Sequence, residues 1–160
     1  MSESQSPPPN DDAQTPPTSP LLIVVGAHLR AEEADRPLAY RVQQEVAQWI
    51  TRQQEAGHQI QLKPIVCSDI LYVNQTELHS RPTISIGGPG VNAVAAYLSD
   101  RLPATYVQDD EAIIQMDVDL VDLRVSIWGN NHALTVAVLD RFITTRLEGY
   151  LRAAATQIEP

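Results

Sequence analysis

Each of four apolar runs in this chain is followed by side chains that could bind or transform a small molecule. Leu21–Val25 leads to Gly26, His28 and Arg30, and Ile60–Val66 leads to Cys67, Ser68 and Asp69. Thr83–Ile86 leads to Gly87-Gly88-Pro89-Gly90-Val91-Asn92, and Leu123–Trp128 leads to Gly129, Asn130, Asn131 and His132. Gly87, Gly88 and Gly90 around Pro89 form a tight turn before a helical pattern. Such a turn leaves bare N–H groups at a helix start, where an anion or polar ligand can sit. Arg30 could pair with that anion, while His28, Asp69, Asn92, Asn130, Asn131 and His132 could orient it. The same turn could equally serve only to pack a helix onto a sheet.

The spacing narrows this chemistry. The turn is neither GxGxxG nor a phosphate loop ending in Lys-Ser or Lys-Thr, which argues against dinucleotide or ATP binding. Cys67 could act as a nucleophile only with a base such as His28 or His132 within hydrogen-bond reach. A small transferase or hydrolase using Cys67 or Asp69 with a histidine is therefore an alternative, although lone cysteines more often fill cores. His28, His132 and Asp69 show no HxH or HExxH spacing, so no metal site is assigned, and no cofactor or catalytic residue is named. His58 and His79 read as surface residues. Arg30 lies in Ala27–Ala34 beside Glu32, Glu33 and Asp35. That stretch is either a solvated loop with local ion pairs or a mobile lid carrying His28 and Arg30 over a cleft.

Positioning these residues requires strands and helices in alternation. Leu21–Val25, apolar at every position, fits a parallel strand covered on both faces. Leu38, Val42, Val46, Trp49 and Ile50 make one stripe of a helix over Pro37–Ala56, with Asp35 able to cap it and Gly57 to stop it. Ile60–Val66, Thr83–Ile86 and Leu123–Trp128 read as further strands. Val91, Val94, Ala95, Leu98 and Leu102 stripe the helix after the glycine turn, which Pro103 ends. Thr105–Gln108 and Ala112–Met116 flank Asp109-Asp110-Glu111 as a hairpin at the sheet edge. Asn130 or Asn131 caps a last helix running to about Leu151. The order predicts an α/β fold, a three-layer sandwich with a mostly parallel sheet, Rossmann-like or flavodoxin-like. If the four main strands are parallel, all four polar loops share one edge, where ligands bind in such sheets.

Composition bounds the partners. Of 160 residues, 1–20 hold six prolines and no glycine, and read as a disordered tail ahead of a single domain over 21–155. The formal charge of −9 argues against nucleic acid and anionic membranes as partners. No run of about 18 apolar residues is present to span a membrane. The start of the chain lacks the basic and apolar regions of a secretory signal, so a cytoplasmic location is expected. With one cysteine, an intramolecular disulfide is excluded.

Ile86-Gly87-Gly88-Pro89-Gly90-Val91-Asn92, together with Gly129, Thr135 and Ala137 at a second strand–glycine–helix unit, resembles an α/β domain of archaeal surface-layer and related cell-envelope proteins. The resemblance covers about residues 83–137 and implies assembly or recognition without catalysis; the envelope location does not follow, since the chain shows no secretion signal. The leading reading is a domain that binds a small polar or anionic ligand; the small transferase or hydrolase and a non-catalytic interaction module are the alternatives. The module would form a homo-oligomer or dock through its apolar last helix and Trp128.

Overall fold

The structure is a computed structural model that describes residues 18–157. Most of the expected tail lies outside the described residues, but Ser19 and Pro20 already belong to the first strand. The fold is α/β, built on a six-stranded mixed sheet in the order β2-β1-β3-β6-β5-β4. Its strands are β1 (Ser19–Val25), β2 (Leu62–Ser68), β3 (Thr83–Ile86), β4 (Ala104–Gln108), β5 (Ala112–Met116) and β6 (Arg124–Gly129). β2, β1, β3 and β6 run parallel, and β5 and β4 are antiparallel additions on the β6 side. The expected edge hairpin is β4–β5.

The helices are α1 (Leu29–Ala34), α2 (Arg36–Glu55), α3 (Asp69–Asn74), α4 (Ala93–Leu98), α5 (His132–Thr145) and α6 (Leu147–Thr156), with a 3₁₀ turn over Thr76–Ser80. Strand side chains alternate between two core clusters. Leu21, Ile23, Val25, Ile84 and Ile127 pack with α2, α5 and α6. Leu22, Val24 and Cys67 pack with Tyr72 of α3 and with Val94 and Leu98 of α4. Burial from both sides explains why Leu21–Val25 has no polar position. β2 is an edge strand, which tolerates Pro64 because one side of its backbone needs no ladder partner.

Several expectations need correction. The second strand is Leu62–Ser68 rather than Ile60–Val66, because pairing continues to Val25–Ser68 before Ser68 caps α3. The connection through Asn74 and His79 is helical. Ala27–Ala34 is largely the helix α1, not a loop. The last helix is broken at Arg146, next to two threonines that bond back to the preceding turn. Thr144 Oγ1 donates to Asp140 O at 3.0 Å and Thr145 Oγ1 to Arg141 O. Such back-bonding bends helices. The bend turns Leu147, Tyr150, Leu151 and Ala154 onto the core, where Tyr150 Oη donates to Leu123 O at 2.9 Å.

The β4–β5 turn holds Asp109 and Asp110 at φ of +52° and +56°, a left-handed pair of the kind hairpins favour and glycine fills best. Asp110→Gly is expected to raise stability by about 1 kcal/mol, since a left-handed residue with a Cβ carries a penalty of that order. A higher urea midpoint with an unchanged slope is the expected result.

Candidate functional site

The parallel strands β1, β2, β3 and β6 bring all four polar loops to one sheet edge, as the sequence suggests. What they build there differs residue by residue. Asp69, at the start of α3, is only 6% exposed. Its Oδ1 accepts the N–H of Ala27 at 2.9 Å and its Oδ2 that of Ala93 at 2.8 Å. One carboxylate thus ties the exits of β1 and β2 to the first residue of α4. Asn92, 1% exposed, is equally committed. Its Oδ1 accepts from Val94 N at 2.9 Å, and its Nδ2 donates to Ser85 Oγ and Ile86 O, both at 3.0 Å.

The amides of the glycine turn are also largely used. Gly87 N donates to Ile127 O, extending the β3–β6 ladder, and Val91 N and Asn92 N both donate to Gly88 O. With Ala93 N on Asp69 and Val94 N on Asn92, the start of α4 has few amides left for an anion. Two glycines are required by geometry. A Cβ on Gly26 would lie 1.8 Å from Val91 O, so only glycine lets the turn pack against the end of β1. Gly87 has φ +108°, which favours glycine, and the carboxylate of Asp35 fills the space a Cβ would take, with Oδ2 2.5 Å from it.

Asp35 is the residue that sequence reasoning assigned to another role. It precedes α2 but makes no side-chain capping bond. It is 7% exposed, and no hydrogen bond from a described residue reaches its carboxylate. Burial pushes its pKa up, opposed by the charge of His132 at the start of α5. Its oxygens are not among the side-chain atoms closed off from solvent without a partner, so the carboxylate is desolvated only in part. No pattern in the sequence distinguishes such an aspartate from an ordinary helix cap.

The other expected site residues divide. Gly88 lies over the Trp128 ring, whose Nε1 is buried without a partner among the described residues. His132 is exposed beside Asp35. His28 caps α1, its Nδ1 accepting from Arg30 N at 3.2 Å, and both side chains face solvent. Asn131 caps α5 by accepting from Leu134 N, while Asn130 and Gly90 are exposed. Glu32 pairs with Arg36, not Arg30. Cys67 is buried, and desolvation pushes its thiol pKa up despite Arg36, the reverse of what a nucleophilic thiolate needs. His79, expected at the surface, is half-buried and stacks on Tyr72 with centroids 4.7 Å apart.

No family model, curated protein or solved structure matches the chain.

Two outcomes follow from these carboxylates. Asp69→Ala strands two backbone donors and is expected to cost about 3 kcal/mol, read as a lower urea midpoint. Asp35→Asn acts with the opposite sign. Because the folded state holds the Asp35 proton more tightly, this group's contribution is full below the usual carboxylate pKa and is lost as pH rises through the raised value. Asp35→Asn should therefore be more stable than the parent at pH 7, with the gap closing as pH falls below that range in paired urea titrations.

Proposed function

We propose that this chain is a cytoplasmic small-ligand-binding domain, a three-layer α/β sandwich of Rossmann-like or flavodoxin-like type. Its site would be the sheet edge above β1, β3 and β6, where Gly87, Gly88, Asp35 and His132 lie. The observation that carries this reading is the Asp35 carboxylate, partly desolvated beside Gly87 and bonded by no described residue. Proteins retain such a group at a cost to stability mainly where a partner will satisfy it. A ligand fitted to this edge offers an N–H or O–H to Asp35 and an acceptor or anionic group to His132. Arg30 supplies further positive charge from α1. The site is thus better suited to a small polar molecule with both kinds of group than to a bare anion held by the start of α4. Catalysis through Cys67 or Asp69 has less support, since the first thiol is buried and the second carboxylate is fully engaged.

The test is amide chemical-shift mapping of the full chain with amino acids, nucleosides and sugar phosphates. A binding compound should move Gly87, Gly88 and His132 in a saturable way. Asp35→Asn should weaken that compound by at least about tenfold, the worth of one charged hydrogen bond. Equal affinity in the variant, or shifts that avoid this edge, would overturn the reading.

A second reading, self-association as an interaction module, has its own support. Leu29 at 72% and Ile70 at 59% exposure, with Leu71 and Val73 also exposed, leave apolar side chains of α1 and α3 in solvent. This surface differs from the last helix and Trp128, which the sequence favours, and agrees in kind with the surface-layer resemblance. A dimer by light scattering that dissociates in Ile70→Ser is its expected result; a monomer at high micromolar concentration refutes it.

A further inference from the structure

A second polar recess lies at the opposite end of the sheet, where β3 and β6 begin. It is a cavity of about 510 Å³, lined by the 3₁₀ turn, the segment leading into β6, and Gln157 after α6. That volume is in the range of small-molecule sites, well above what one water or one bare ion fills.

Its charges are arranged unequally. Arg124 faces Asp122 through two parallel bonds, Nε to Oδ1 at 2.9 Å and Nη2 to Oδ2 at 2.7 Å. That pair is half-buried, and each group stabilises the charged form of the other: Asp122 is held below the usual carboxylate range and Arg124 above the usual guanidinium range. The one carboxylate on the wall is therefore already neutralised. Arg81, at the end of the 3₁₀ turn, makes no salt bridge to a described residue and donates no side-chain hydrogen bond to one. The Thr76 side chain adds a hydroxyl to the lining, while the Arg124 guanidinium also lies toward the Tyr97 ring. His79 forms a stiff wall: its ring lies between Tyr72 and Tyr97, at 4.7 and 5.8 Å, and its Nε2–H donates to Tyr72 O at 2.9 Å.

We infer that this recess is a binding site for a small organic oxyanion, a phosphate monoester or a carboxylate. A planar guanidinium with five N–H donors matches two oxygens of such a group, whereas an ammonium or neutral ligand leaves it unmet. On a chain of net charge −9, a cavity with one guanidinium that no described carboxylate pairs is a local inversion of sign. Electrostatic focusing in a recess strengthens that inversion. The site is independent of the candidate site at the other edge, which lies beyond the opposite ends of the same strands.

Side-chain and backbone NMR of the full chain tests the assignment, with sodium phosphate, glycerol phosphate and sodium succinate titrated separately against sodium chloride at equal ionic strength. The expected result is saturable movement of the Arg81 Nε–H and of the Thr76, Ser80 and Leu123 amides with at least one oxyanion. Gly87 and His132 should stay still. Phosphate-only or succinate-only saturation identifies the oxyanion type. Arg81→Gln, a change at an exposed side chain, should weaken binding about tenfold, as expected for losing a charged hydrogen bond. Shifts that match those in chloride, or equal affinity in Arg81→Gln, would overturn the inference.

Discussion

A single carboxylate organises the edge of the sheet on which the candidate site lies. Where parallel strands end, their exit loops diverge and the ladder no longer supplies partners for backbone N–H groups. Asp69 supplies two of those partners at once, one to Ala27 after β1 and one to Ala93 at the start of α4. With the exits of β1, β2 and β3 held by one side chain, the glycine turn lies hard against Gly26 and leaves room over Gly87 for Asp35. The residue before α2, Asp35, and the first residue of α5, His132, then lie close enough for their charges to interact. Asn92 completes the fixation from inside the turn by bonding to Ser85 and Ile86.

The sequence made the larger plan legible because that plan follows from burial. Leu21–Val25 has no polar residue and turned out to be covered on both faces. Thr83–Ile86 and Ala112–Met116 match their strands residue for residue. The location of the polar loops on one edge followed once four strands were parallel. Roles within the edge were not legible, since they depend on which atoms meet across large sequence separations. Asp69 and Asn92 have the residue types of ligand contacts, yet their polar atoms bind the backbone and, for Asn92, the Ser85 hydroxyl. Asp35 has the residue type and position of a helix cap, yet its side chain makes no capping bond. Both differences arise from tertiary geometry, with Asp69 reaching Ala27 across 42 positions. The break at Arg146 was equally hidden, because an apolar stripe continues through it while two threonine hydroxyls redirect the backbone.

Asp69 and Asp35 also show two uses of a carboxylate in one small region. Asp69 is satisfied by the fold and adds to its stability. Asp35 is left without a donor from the described residues, and desolvation favours its protonated form. The first kind of group explains how an edge made of loops can be rigid. The second explains why that rigid edge is chemically unfinished.

The two borders of the sheet carry a further meaning. β2 presents Pro64, which lacks a backbone donor, and β4 has a register irregularity between Ala104 and Tyr106 beside an acidic turn. Proline, bulges and charge each discourage an added strand. Both borders are thus poor templates for another chain's backbone. The fold thus discourages copies of this protein from prolonging one sheet from molecule to molecule.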